Sequence, residues 1–215
     1  MAVPHRRHAG VRASDPADPD PAAAHAIEAY ARRILDALAV ERFAVLGHHT
    51  GGVVAVELAA RAPGRVRALV LSSTPLVDAA ARARRAGRRS VDHVEPAGDG
   101  SHLVALWRAR AAFTPAGLVE PVVRDALRCG AAARDGGHAA VSAYRMEDRL
   151  PLVACPVLCV GSDADPYASP DLEPLAAALG GAPTAVVAGS TVAVPEQCPD
   201  ELAAAVLPFL AGAPA

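Results

Sequence analysis

The residues with the clearest chemical potential lie in the run Gly47-His48-His49-Thr50-Gly51-Gly52. An apolar segment, Arg42 to Gly47, leads into it, and a small-residue stretch, Gly51 to Ala62, leads away. The first reads as a buried strand and the second as a helix. A chain that turns sharply from strand to helix needs glycine where backbones approach. It also leaves its central side chain standing above the first amides of the helix. That is the context of a nucleophile elbow, G-x-S-x-G, with His49 in the serine position. Imidazole titrates near neutrality, so three readings of His49 are open: nucleophile or general base, ligand-binding group without chemistry, or relic of a decayed site. The Thr50 amide would serve as an oxyanion donor, while its hydroxyl reads as a helix-start group.

A histidine that moves protons needs an acid to orient it. Asp165 follows the apolar run Val157 to Gly161 and precedes Pro166, which suits either that acid or an ordinary turn carboxylate; Asp163 competes for the role. Paired with His49 it would form a His–Asp dyad able to abstract a proton or orient water. His48 reads as a packing or hydrogen-bonding neighbour of the turn. Adjacent histidines on a tight turn diverge, and no cysteine or carboxylate cluster accompanies them, so no metal is expected. No cofactor is expected either. Trp107 and His138, with Tyr144 nearby, fall in a helical stretch and are candidates to line a substrate pocket together with His48. Arg82, Arg84, Arg85, Arg88 and Arg89 cluster on one segment and read as a solvated helix face.

The positioning elements follow from periodicity. Ala22 to Leu38 carries apolar residues at three- and four-residue spacing, an amphipathic helix. Val66 to Ser72, Val157 to Gly161 and Thr184 to Ala188 read as strands, and Asp171 to Leu179 and Pro199 to Leu210 as helices. Between the second and third strands lie a basic helix over Ala79 to Arg89 and helical segments around Leu103–Phe113 and Val119–Arg128, with no strand pattern. Continuous apolar strands alternating with helices indicate a parallel α/β sheet. Three parts result: an N-terminal core over 1–73, a helical cap over 74–150 and a C-terminal core over 151–215.

Composition narrows the field. The 215 residues carry a formal net charge of −2, 52% hydrophobic residues and no lysine, all 21 basic residues being arginine. So apolar a chain supports a core, and so balanced a charge carries no basic stripe for nucleic acid. No apolar run approaches the ~18 residues that span a membrane. The four cysteines, Cys129, Cys155, Cys159 and Cys198, form no Cys-x-x-Cys pair and read as reduced thiols of a cytoplasmic protein.

Several segments together resemble the α/β-hydrolase family. Gly10-Val11-Arg12-Ala13-Ser14-Asp15-Pro16 is similar to its G-x-G-x-SDP loop, and Ala44-Val45-Leu46-Gly47-His48 to the strand entering its elbow. Pro63-Gly64-Arg65-Val66-Arg67-Ala68-Leu69-Val70-Leu71 resembles the following strand, and Gly161-Ser162-Asp163-Ala164-Asp165-Pro166 the turn that carries the triad acid. Pro195-Glu196-Gln197 and the closing helix resemble the family's C-terminus. The resemblance implies an α/β-hydrolase-like parallel sheet flanked by helices, with an inserted helical cap. It implies a hydrolase, or lyase, of a small and fairly apolar substrate. The family's nucleophile position is His49 and its catalytic-histidine position is Thr191, and no histidine follows His138. The expected activity is therefore an atypical His49–Asp165 pair rather than a serine triad, the alternative being a non-catalytic or degenerate homologue. Met1 stands just before the Gly10 loop, so the family's N-terminal strands are expected to be missing. That would leave Phe43–Leu46 on an exposed edge for a second copy of the chain to cover.

Overall fold

The structure, a computed structural model, describes residues 26–214. The Gly10 loop and the start of the Ala22–Leu38 helix lie outside the described residues. The helix itself, α1, runs Ile27–Ala37 and buries Ile27, Ala29 and Ala31. Strand β1, Phe43–His48, passes through His49 into helix α2, Thr50–Arg61, and strand β2 follows at Val66–Ser72. Four helices come next: α3 (Ala79–Arg85), α4 (Ser101–Ala111), α5 (Ala116–Cys129) and α6 (Ala131–Ala143). The chain then returns to the sheet with β3 (Val157–Ser162), α7 (Leu172–Ala178), β4 (Thr184–Val187), a short α8 (Val194–Gln197) and α9 (Pro199–Gly212).

The strands pair in parallel in the order β1-β2-β3-β4. The register sets His48 opposite Ser72, Ser72 opposite Val160, and Ser162 opposite Val187. A parallel sheet is covered on both faces, which explains the apolar runs Ala68–Leu71 of β2 and Val157–Val160 of β3. Two core clusters result. One packs α1 and α2 against Leu69, Leu71 and Cys159, and the other packs α9 against Val70, Leu158, Val160 and Val187. A third, small cluster of Leu106, Val119, Val123 and Ala126 belongs to the helical insert alone.

Helix α2 is the element most constrained by the sheet. Gly52 and all eight residues from Val53 to Ala60 are buried. A Cβ on Gly52 would stand 1.9 Å from Thr74 Oγ1, just past the end of β2. One on Gly47 would stand 2.3 Å from the Gly51 carbonyl oxygen. Backbone thus excludes any side chain at Gly47, whereas at Gly52 it is the Thr74 side chain that stands in the way.

Parallel strands end on the same side, and the crevice beyond their carboxyl ends is where ligands of open α/β sheets bind. Here that side gathers His48 at the end of β1 and His49 after it, Ser72 at the end of β2 and Ser73 after it, Asp165 after β3, and residues 188–194 after β4.

Candidate active site at the strand ends

His49 sits on the turn with φ 47° and ψ −117°. This is outside the helical and extended regions, and such strain in a non-glycine residue costs on the order of 1–3 kcal/mol. The surroundings over-determine it: the His49 amide donates to the Ser72 carbonyl at 3.0 Å, and its own carbonyl accepts from the Gly52 amide at 2.9 Å. The side chain is thereby pushed out over the strand ends. Its Nε2 lies 2.9 Å from Asp165 Oδ2, with the imidazole about a quarter exposed and the carboxylate fully buried. The two atoms are close but not aligned as a hydrogen bond, and neither has another hydrogen-bond partner.

Asp165 is built into its own turn. Its Oδ1 accepts from the Tyr167 amide at 2.9 Å and the Ala168 amide at 3.2 Å. Burial alone would raise its pKa, but His49 and these two amides more than offset it and hold the carboxyl below its ordinary value. The competitor Asp163 faces elsewhere, accepting from the Gly189 amide at 2.7 Å.

The flanking residues fill in the site. Thr50 is exposed at the first position of α2, where an amide has no intrahelical partner. His48 Nδ1 lies 3.1 Å from Ser72 Oγ, and its Nε2 lies 2.9 Å from the Val192 carbonyl. The amide and the hydroxyl of Thr191 both donate to Gln197 Oε1, at 2.9 Å each, rather than toward Asp165. Gln197 in turn donates to the Gly189 carbonyl, so the loop after β4 is held closed on itself.

Of the pocket-lining candidates, only His48 touches His49. Tyr144 is buried 87 residues away in sequence from its partner: its hydroxyl donates to Glu57 of α2 at 2.9 Å, behind the turn. Trp107 is exposed on α4, in a groove of about 560 Å³ lined also by Leu103, Val123 and Leu127. His138 Nε2 lies 3.3 Å from Asp92, inside the helical insert. A second apolar cavity, about 480 Å³, opens beside Cys155, Gly180 and Phe209, near the start of β3. Neither concavity includes His49.

Spacing did not reveal four contributors. Ser72 and Ser73 end β2, and Ser73 takes a positive φ of 43° with its Oγ 2.9 Å from Ser162 Oγ. Val192 acts through its carbonyl, which no side-chain motif can report. Tyr167 packs edge-on against Phe113 of the insert, centroids 5.3 Å apart, bringing the insert to the Asp165 turn. A serine ending an apolar strand was the one available signal.

The alpha/beta hydrolase fold family matches residues 8–93. An enol-lactonase from Burkholderia xenovorans LB400 superposes with a TM-score of 0.67 at 22% identity, covering 95% of this chain and 78% of that one. A hydrolase from Pseudomonas aeruginosa PA01 gives 0.66 at 28% identity, over 94% and 77%. A carboxylesterase from the thaumarchaeon Nitrososphaera gargenis gives 0.70 at 15% identity, over 96% and 78%. The chain has the alpha/beta hydrolase fold, and its structural neighbours include hydrolases. Among the described residues no helix is long and apolar enough to cross a membrane, and all four cysteines are free.

Proposed function

We propose that the protein is a hydrolase of a small, fairly apolar ester or lactone, working through His49 and Asp165 without a serine nucleophile. The observation that carries this reading is the strained His49 at the elbow with its Nε2 2.9 Å from the buried Asp165. An ionised carboxylate only accepts, so Nε2 keeps its proton and the lone pair is left on Nδ1. In the proposed step a water oxygen bonds to the substrate carbonyl carbon while Nδ1 takes the water's proton. The carbonyl oxygen becomes an oxyanion facing the Thr50 amide. The C–O bond to the leaving group then breaks, and the imidazolium returns the proton to the departing alkoxide. Asp165 stabilises the imidazolium throughout and stays ionised. The helical insert acts as the cap over this site, and no cofactor takes part. Reduced thiols fit a cytoplasmic protein. Proton abstraction in a lyase would use the same pair.

A panel of p-nitrophenyl esters and small lactones tests the proposal. The expected result is burst-free turnover that falls roughly 10²-fold or more in His49→Ala and Asp165→Asn, as loss of a general base does. A serine-directed phosphonate is expected to leave every serine unlabelled. Covalent labelling of a serine, or full turnover in His49→Ala, defeats the proposal. The misalignment of the His49–Asp165 contact favours a second reading, a non-catalytic homologue that binds a ligand at this face. That reading predicts ligand binding lost in His49→Ala with no turnover in any form.

A further inference from the structure

His48 takes no step in the proposed reaction, yet its imidazole is held on three sides. A carbonyl oxygen only accepts, so the 2.9 Å contact with Val192 fixes the proton on Nε2. Nδ1 then carries the lone pair, and at 3.1 Å the Ser72 hydroxyl must donate to it. One neutral tautomer satisfies both partners. The ring also meets His49 edge to face, with centroids 4.8 Å apart and planes at 79°. Burial first, and the neighbouring His49 second, push the His48 pKa down to about 4, so the ring stays neutral at physiological pH. These contacts tie together the ends of β1 and β2 and the loop after β4.

His49 needs such support. Its contact with Asp165 is short but unaligned, so the carboxylate does not fix the plane of the ring. From the geometry we infer that His48 is the positioning residue of the site: held between Ser72 and Val192, it braces the His49 ring and keeps Nε2 turned toward Asp165. The inference rests on the reading of His49 as the working base. The groups that face His48 are the Ser72 hydroxyl and backbone, the Val192 carbonyl, the His49 ring and the charge of Asp165. A proton added to Nδ1 would turn that atom into a donor, break the match with Ser72 and set a cation against His49.

Imidazole proton–nitrogen correlation spectra of the full ¹⁵N-labelled chain, taken at pH 7, provide the test. In the wild type His49 is expected as one tautomer with its proton on Nε2. In His48→Gln, which keeps a donor toward Val192 but loses the ring, His49 is expected to show shifts averaged between tautomers. Should His48→Gln fail to fold, Ser72→Ala decides the matter, since it keeps the ring and removes one anchor; averaged His49 shifts are expected there too. Turnover in these variants is expected to fall about tenfold in kcat with KM within about twofold, the pattern of a misplaced base. Unchanged His49 shifts in the folded variants overturn the inference. A wild type without His49-dependent turnover overturns the hydrolase reading instead, and the spectra still report whether His48 braces His49.

Discussion

At the scale of single residues, the site is defined by groups whose protonation is set by what surrounds them. His48 offers a measurable consequence. Its pKa is depressed from the ordinary 6.5 to about 4. Between those values the unfolded chain binds a proton that the folded chain refuses, so stability rises with pH across that window. Above pH 6.5 the contribution is complete, and on acidification it is lost progressively toward pH 4. Urea unfolding at pH 7 and pH 4.5 is expected to show a loss of roughly 2 kcal/mol attributable to this group. His48→Phe keeps a ring that cannot be protonated, and it is expected to remove that part of the difference. An equal pH dependence in both proteins would show that His48 is not the group responsible. The pairing of His49 with Asp165 was legible through the family resemblance, which puts the elbow and the acid-bearing turn on one side of the sheet; the residues alone left Asp163 as a competitor. The partner of Tyr144 was not legible: a tyrosine after a helix looks free, and only the tertiary fold brings Glu57 to its hydroxyl.

At the scale of elements, helix α2 joins the turn to the rest of the molecule. Its small residues were legible as a helix, but Glu57 in their midst gave no sign of its partners. The carboxylate is completely buried and accepts from the Tyr144 hydroxyl, from Arg149 at 2.8 and 3.3 Å, and from Arg61 at 3.2 Å. Without the carboxylate, Arg149 and Arg61 still reach water, being 29% and 40% exposed, whereas the buried Tyr144 hydroxyl loses its acceptor, which costs about 1–3 kcal/mol. Glu57→Ala is therefore expected to lower stability by about that much in urea titrations at pH 7, and Glu57→Gln by less, since the amide still accepts from Tyr144. Gly52→Ala tests the other face of the helix. Its Cβ would collide with Thr74 Oγ1, and overpacking of this kind costs typically 1–3 kcal/mol. The double variant Gly52→Ala with Thr74→Gly is expected to recover most of the loss, whereas simple additivity would place the strain elsewhere. Helix α6 escaped the periodicity reading because Gly136-Gly137 and four charged or polar residues interrupt its apolar face; it is tied to α5 by Arg134, which donates to the Ala126 carbonyl at 2.8 Å, and to the core by Val141.

At the scale of the whole molecule, a parallel sheet and a helical insert are stabilised by different physics. The sheet and the helices packed on it carry most of the buried apolar side chains, and the alternation of apolar strands with helices made its four strands legible. The insert has a cluster of four buried residues of its own, Leu106, Val119, Val123 and Ala126, while its Val77, Val141 and Met146 join the core of the sheet. At ~1.5–3 kcal/mol for each larger side chain, so few apolar groups cannot by themselves order four helices. What completes it is Asp92, fully buried and contacted by Arg110, by Arg134 at 3.7 Å and by His138 at 3.3 Å. Burial would raise the Asp92 pKa, but His138 and Arg110 hold it well below the ordinary range. One carboxylate thus ties the loop after α3 to α4 and α6. No sequence pattern signals a hub of this kind, because its members are spread from 92 to 138. Asp92→Ala leaves two guanidiniums facing each other across an emptied site. Amide hydrogen exchange is expected to speed up at least about tenfold across α4, α5 and α6, while α2, β2 and β3 keep their protection, since local unfolding follows local stability. Exchange that rises equally in the sheet would show that insert and sheet unfold as one unit, and that Asp92 supports the whole fold rather than the insert.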